Sequence, residues 1–139
     1  MGRSTRDDLF VHLVWGTYRR RPWLVRQVRP HVFEVIQAQA GRVGAEVIAV
    51  GGMEDHVHVL ARFPARLAVA ALAHRIKGGS SRFISRELLP GHRFRWQDGY
   101  GAFSLSRTGI PAVRAYVLNQ EHHHTAGTLY RALEPSDPA

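Results

Sequence analysis

Two histidines spaced two residues apart are the strongest chemical signal in this chain. His56 and His58 lie in the apolar run His56-Val57-His58-Val59-Leu60. In a β-strand, residues i and i+2 face the same way, so both imidazoles can reach one metal ion while the valines pack behind them. A lone histidine on a strand is usually only hydrogen bonded, but two buried imidazoles need two partners, and one shared metal supplies both. The pattern therefore predicts a metal site.

A tyrosine and a glutamine stand one helical turn apart towards the end of the sequence. Tyr116 and Gln120 are i and i+4 in a segment with helical periodicity, so they share a face. A metal beside a tyrosine hydroxyl equips a protein for nucleophilic attack on a phosphodiester. The competing interpretation is that Tyr116 is a core residue of an amphipathic helix. A phenol with a pKa near ~10 is a poor nucleophile unless a cation, a base or a metal lies close by.

The residues alone leave the third metal ligand open. Glu54 stands at i−2 from His56 and points the same way if the strand begins that early. Gln120 could instead supply its amide oxygen from the helix. Asp55 faces the opposite way in a strand and fits the cap of a turn. His123 lies further along the same helix and is a reserve ligand or base.

The composition excludes several kinds of site. The 139 residues contain no cysteine, so any metal is held by histidine, carboxylate or amide oxygen. That donor set favours Mg²⁺, Mn²⁺ or a similar ion over a structural zinc. No apolar run of ~18 residues is present, and the first residues lack the apolar core of a secretory signal. We therefore expect a cytoplasmic protein.

The charge balance favours a polyanionic partner such as nucleic acid. The chain has 19 basic and 11 acidic residues and a net charge of +8, although arginine richness can also reflect coding bias. Aromatic residues such as Tyr18 and Trp23 lie among the arginines and could stack unpaired bases. The candidate phosphate contacts are Arg19, Arg20, Arg21, Lys77 and Arg82.

Periodicity and turn residues predict the elements that position these side chains. The predicted strands are Phe10–Trp15, Ala45–Val50, Asp55–Phe63, and short segments at 94–96 and 102–106. The predicted helices are 31–40, Leu67–Ile76 with an interruption at Gly78-Gly79 and a continuation to Leu88, and 112–123. This order predicts an α+β fold of the ferredoxin-like (RRM-like) kind, with an antiparallel sheet, helices packed on one face and the tyrosine on a C-terminal helix. We expect a single domain over 1–139 with flexible ends at 1–8 and 134–139.

The ordered set of motifs resembles the HUH single-tyrosine transposases of small hairpin-ended insertion sequences and the related transposases associated with repetitive extragenic palindromes (REP). The similarity covers residues 9–124, and the order of the short motifs makes it specific. The stretches that carry it are HLVWGTYRRRP at 12–22, MEDHVHVL at 53–60, IKGGSSR at 76–82, WQDGYGAFS at 96–104 and YVLNQ at 116–120.

This resemblance implies a metal-dependent transposase that acts on single-stranded DNA with hairpin or palindromic ends. A divalent ion, Mg²⁺ or Mn²⁺, would be held by His56, His58 and Gln120. Tyr116 would attack the DNA to give a 5′-phosphotyrosine and a free 3′-hydroxyl, and another 3′-hydroxyl would later reseal the strand. The resemblance also implies a homodimer, with a monomer as the alternative known in the REP-associated branch. Glu54 stands where the family commonly has proline, which makes it a candidate extra ligand.

Two other functions are consistent with the same residues. One is a non-catalytic hairpin-binding protein domesticated from a transposase, although a binder need not keep the complete set of site residues. The other is a metal-dependent hydrolase that activates water at the histidines. A hydrolase needs no tyrosine and expects a carboxylate ligand such as Glu54.

Overall fold

A four-stranded antiparallel sheet forms the middle layer of the molecule. The computed structural model describes residues 6–126 and 133–135. The strands are β1 (Phe10–Gly16), β2 (Glu46–Met53), β3 (His56–Arg62) and β4 (Gly101–Leu105), in the spatial order β2-β3-β1-β4. The helices are α1 (Arg29–Arg42), α2 (Val69–Phe83), α3 (Ile110–Leu118) and α4 (Gln120–Ala126). This topology confirms the predicted ferredoxin-like α+β fold. The prediction placed the helices on one face of the sheet, but α3 packs on the face opposite α1 and α2, because its apolar residues cover Ala49 and Leu60 there.

The two-residue alternation of β3 decides which side chains face which layer. Val57, Val59 and Ala61 are fully buried in the main core, which α1 and α2 cover from one face. His56 and His58 alternate with them and face the other side of the sheet, where α3 packs against β2 and β3. Each fully buried valine or leucine side chain stabilises the fold by about 1.5–3 kcal/mol. The apolar positions of β3 therefore fix its register, and that register fixes the direction of both histidines.

Helix α2 runs through Gly78-Gly79, where the sequence predicts an interruption. It is continuous from Val69 to Phe83 and leads into a π-helical turn at Ile84–Leu88. A Cβ on Gly79 would lie 2.2 Å from the side-chain Cδ of Gln39 on α1. Glycine is needed there because two helices approach closely, and that packing outweighs a helix-propensity cost of about 1 kcal/mol.

The ends of the chain were expected to be flexible. Residues 1–5 and 136–139 of these predicted ends lie outside the described residues. Asp8 pairs with Arg107 at 2.6 Å, and Arg62 donates to the Asp7 carbonyl at 2.7 Å, so the described part of the N-terminal end is tied to the sheet. Glu134, at the other end, lies in the site described below. None of the described helices is long and apolar enough to cross a membrane.

Candidate active site

Strand β3 places the two histidines side by side in the interior. His56 and His58 are both fully buried, and their ring centroids are 5.1 Å apart. Val57 between them and Val59 after them point into the main core on the opposite face of the sheet. The prediction that both imidazoles share one face is confirmed by this geometry.

Asp55 orients the first histidine. Its Oδ1 lies 2.8 Å from Nδ1 of His56, which leaves Nε2 directed into the site. Such a carboxylate–imidazole pair fixes the tautomer and the ring orientation of metal-binding histidines. Burial alone lowers the pKa of His56, but hydrogen bonds to Asp55 and Glu134 outweigh burial and raise that pKa to about 9. Asp55 thus supports the site, whereas the sequence predicted only a turn cap.

The second histidine is supported by a residue that the sequence analysis left without a role. His12 of β1 places its Nε2 2.9 Å from Nδ1 of His58, and the two rings stack with centroids 5.1 Å apart. Burial, followed by the nearby charge of His58, lowers the pKa of His12 to about 4, so His12 is neutral at pH 7. A neutral His12 can accept a hydrogen bond from Nδ1–H of His58. In that tautomer the Nε2 lone pair of His58 faces the site.

The C-terminal helices bring the tyrosine and the glutamine onto the same histidines. The Tyr116 ring stands edge-on to His58 with centroids 5.7 Å apart. Oε1 of Gln120 lies 3.2 Å from Nε2 of His56. The Gln120 amide nitrogen donates to the Tyr116 carbonyl at 2.9 Å, which turns the amide oxygen towards the histidines. A bend at Asn119 separates α3 from α4, yet both side chains keep the predicted common face.

Glu134 occupies the centre of the cluster. Its Oε1 lies 3.1 Å from Nε2 of His56, and its Oε2 lies 3.3 Å from Nε2 of His58. The hydroxyl of Tyr116 donates a short hydrogen bond to the same Oε2. Burial raises the pKa of Glu134, but hydrogen bonds from both histidines dominate and hold that pKa well below its usual range. An ionised carboxylate therefore links the tyrosine to both imidazoles.

A third imidazole joins the cluster from α4. Nε2 of His124 lies 3.1 Å from Oε1 of Gln120 and 3.5 Å from Oε1 of Glu134. Two sequence signals indicate this residue: its i, i+4 spacing from Gln120 and its place in the run His122-His123-His124. His123, the predicted reserve ligand, instead lies against the Tyr116 ring with centroids 4.7 Å apart.

These donors fit a divalent cation. Ligand atoms of His56, His124 and Glu134 lie within 4.8 Å of one another. The polar contacts inside the cluster span 3.1–3.5 Å. Ligands about 2.1 Å from one ion lie about 3.0–3.4 Å apart in octahedral or tetrahedral geometry. Nε2 of His58 is buried, and its contact with Oε2 of Glu134 at 3.3 Å is not a well-aligned hydrogen bond, so this nitrogen can also serve as a ligand of a cation.

Glu54, the candidate extra ligand, pairs with an arginine in the structure. Strand β3 begins at His56, so the condition on which the Glu54 prediction depended is not met. The Glu54 carboxylate lies 3.7 Å from a guanidinium nitrogen of Arg29, and half of the side chain is exposed. The carboxylates in contact with the paired histidines are those of Asp55 and Glu134.

The arginine cluster lies beside the site. Arg19 and Arg20 form a tight turn with φ values of +53° and +56°, a left-handed conformation that costs energy outside glycine. Arg20 pairs with Asp55 at 3.2 Å and so connects this turn to the His56 ring. Arg21 lies over the Trp23 ring, with its Cζ 5.8 Å from the ring centroid.

An open cleft of about 300 Å³ adjoins the same turn. It is lined by Tyr18, Arg21, Trp23, His92, Arg93 and Arg95. Arg95 lies over the Tyr18 ring with its Cζ 4.4 Å from the ring centroid. We call this the aromatic cleft.

The other two candidate phosphate contacts differ from each other in their surroundings. The Lys77 ammonium donates to the carbonyls of Gln97, Asp98 and Gly99 at 2.8–3.1 Å, so it holds that loop in place.

Arg82 lines an open groove of about 400 Å³ between α1 and α2, on the face of the sheet opposite the histidines, which we call the arginine groove. Arg42, Arg75 and Arg86 line the same groove.

Comparison with known proteins identifies the family. A family model described as "Transposase IS200 like" matches residues 5–120. The chain belongs to the IS200-like transposases. It is 28% identical over 125 residues to the ISDra2 transposase TnpA of Deinococcus radiodurans, a match that covers 86% of this chain and 89% of that protein.

Two solved structures share the fold. A candidate transposase from Deinococcus radiodurans R1 superposes with a TM-score of 0.68 and 26% identity, over 86% of this chain and 96% of that one. A REP-associated tyrosine transposase bound to a REP hairpin superposes with a TM-score of 0.66 and 13% identity, over 89% of this chain and 74% of that one. Membership of this family implies DNA cleavage and rejoining in general.

Proposed function

We propose that this transposase cleaves and rejoins single-stranded DNA, with Tyr116 as the nucleophile. One observation carries the proposal. A single oxygen, Oε2 of Glu134, accepts the hydrogen bond of the Tyr116 hydroxyl and also lies 3.3 Å from Nε2 of His58. A phosphate oxygen at that position would meet the nucleophile and an imidazole of the metal site together.

The residues that would hold the metal are His56, His58 and Gln120. A divalent ion bound there would neutralise charge that develops on the non-bridging oxygens of the phosphate. The Asp55 and His12 contacts hold the two imidazoles with an inward-facing nitrogen each. These supports keep the donors in place before DNA arrives.

The reaction exchanges one phosphoester bond for another. The Tyr116 oxygen forms a bond to phosphorus while the bond from phosphorus to the 3′-oxygen breaks. The proton lost by the phenol is balanced by the proton gained at the 3′-oxygen. The 5′-phosphotyrosine conserves the phosphoester, so a second 3′-hydroxyl can reseal the strand without an external energy source.

The aromatic cleft is our proposed path for the unpaired strand beside the cut. Its rings offer faces for stacking bases, and its arginines offer charge to the phosphates. The Arg20–Asp55–His56 contacts connect the cleft to the metal ligands. The arginine groove that contains Arg82 lies on the opposite face, and we propose that it binds the paired stem of a hairpin, whose backbone needs positive charge but no stacking.

Replacement of the nucleophile tests the proposal. Incubation with labelled, hairpin-ended single-stranded DNA and Mn²⁺ should give a covalent protein–DNA adduct that survives denaturing electrophoresis. Tyr116→Phe should abolish this adduct and leave DNA binding intact, because only the hydroxyl is removed. The matched control is Tyr100→Phe, which removes the hydroxyl of a tyrosine that is 37% exposed and should keep the adduct. An adduct formed by the Tyr116→Phe protein would refute the assignment.

The same incubation separates the two competing functions. The carboxylate of Glu134 among the histidines is an arrangement that a water-activating hydrolase could also use. A hydrolase would cut the DNA without an adduct and would tolerate Tyr116→Phe. A domesticated hairpin-binding protein would retain the DNA without any cleavage.

A further inference from the structure

We propose that Glu134 is a ligand of the divalent metal when no DNA is bound, and that the scissile phosphate takes its place when DNA enters. This inference rests on the proposed function, because it concerns the same metal and the same nucleophile. It assigns a role to a residue that lies beyond the matched family region of 5–120.

The position of the carboxylate supports ligation. Its two oxygens lie 3.1 Å and 3.3 Å from the inward-facing nitrogens of His56 and His58. Those separations are the ones expected of neighbouring ligands on one ion. The Glu134 side chain is only 12% exposed, so the carboxylate is largely shielded from solvent where it meets the histidines.

Oε1 of Glu134 and Nε2 of His58 are both buried at this point, and in the described part of the chain neither makes a well-aligned hydrogen bond, although each has a contact of 3.1–3.5 Å within the cluster. Buried polar atoms normally make well-formed hydrogen bonds, because removal from water without one is unfavourable. A cation between them would satisfy both atoms at once. Ligation by Glu134 would also add an anionic oxygen to a ligand set that otherwise consists of imidazoles and an amide. Mg²⁺ and Mn²⁺ prefer such oxygens.

The contact with Tyr116 explains why the phosphate must displace this ligand. The tyrosine hydroxyl donates to Oε2 of Glu134, so the carboxylate occupies the space in front of the nucleophile. A phosphodiester shares one negative charge between its two non-bridging oxygens, and a carboxylate likewise shares one negative charge between two oxygens. The two groups therefore compete for one position, and attack on phosphorus requires the carboxylate to leave.

Manganese binding to the 139-residue chain without DNA tests whether Glu134 is a metal ligand. Titration followed by electron paramagnetic resonance should show that Glu134→Gln weakens Mn²⁺ binding by about 10-fold or more. The control is Glu46→Gln, which makes the same change of charge at an exposed position on β2 and should leave the affinity unchanged. Equal affinities for the Glu134→Gln and wild-type proteins would overturn the proposal. If that variant keeps its affinity but forms the DNA adduct faster, Glu134 only obstructs the phosphate and is no ligand.

Repeating the titration on the DNA complex tests the exchange. A Tyr116→Phe background prevents covalent reaction, and the substitution at Glu134 should then cease to affect Mn²⁺ affinity, because the phosphate has replaced the carboxylate. An undiminished effect would contradict the exchange. His58→Ala distinguishes this inference from the proposed function: if it leaves Mn²⁺ binding unchanged, the metal site itself is refuted.

Discussion

Two buried histidines can bind one metal only if the correct ring nitrogen of each faces the site. Asp55 takes Nδ1 of His56, and His12 takes Nδ1 of His58, so both Nε2 atoms face the same point. Without those partners either ring could present the wrong nitrogen or rotate. His56 and His58 were visible in the sequence because their relation lies within one strand. His12 was not, because it reaches His58 only through the pairing of β1 with β3.

Substitution of His12 should show this support directly. His12→Phe keeps a ring of similar shape but removes the acceptor, and we expect Mn²⁺ affinity to fall by about 10–100-fold. His12→Gln should recover part of the loss, because its amide oxygen can accept from Nδ1–H of His58. Isothermal titration calorimetry with Mn²⁺ measures both variants. If the Phe and Gln variants bind Mn²⁺ equally, His12 acts through packing and not through its hydrogen bond.

The seating of α3 on the sheet sets the position of the nucleophile. A Cβ on Gly51 of β2 would lie 2.0 Å from the backbone carbonyl oxygen of Val117, the residue after Tyr116. Gly51 is also the register partner of His58 on β3. A glycine therefore allows the tyrosine helix to lie directly over the strand pair that carries the histidines.

A methyl group at this contact should move the helix. Gly51→Ala is expected to lower the free energy of unfolding by about 1–3 kcal/mol through overpacking and to reduce adduct formation more than DNA binding. Gly78→Ala is the control, because nothing lies within 4 Å of a Cβ there and the position is exposed on α2. That variant should gain up to about 1 kcal/mol of helix stability. Chemical denaturation and the adduct assay measure both; equal behaviour of the two variants would contradict the close-approach argument.

Local sequence patterns predict the strands correctly, but packing between distant residues determines the course of α2 and the position of Glu134. Alternating apolar residues predicted the strands and the face of the histidines, because burial of that pattern leaves one register. Gly78-Gly79 predicted a break in α2 that does not occur, since the contact of Gly79 with α1 depends on a residue forty positions away. Glu134 was placed in a frayed tail for the same reason: no local pattern shows that three imidazoles will gather a distant carboxylate.

The candidate active site and the arginine groove lie on opposite faces of the sheet. The histidines and the tyrosine lie on one face of the sheet, whereas the arginine groove of α1 and α2 lies on the other. The aromatic cleft lies near the strand end that carries His56, because the Tyr18 turn follows β1 directly.

The roles of the aromatic cleft and the arginine groove can be distinguished by the form of DNA that each binds. Tyr18→Leu should weaken binding of a hairpin with an unpaired flank by about 1–3 kcal/mol, the value of one base–aromatic stack, and should not affect the blunt hairpin. Tyr18→Phe retains the ring and should bind both forms as the wild type does. Fluorescence anisotropy with the two oligonucleotides measures the difference. Equal weakening for both forms would show that the cleft does not hold the unpaired strand.

Isolation of the covalent intermediate is the most direct test of the proposal that Tyr116 is the nucleophile. The 139-residue chain is incubated with hairpin-ended single-stranded DNA and Mn²⁺, the DNA is digested, and the peptides are sequenced by mass spectrometry. We expect a nucleotide joined through its 5′-phosphate to Tyr116, together with a released strand that ends in a 3′-hydroxyl. Cleaved DNA without a protein adduct, or an adduct on any other residue, would contradict it.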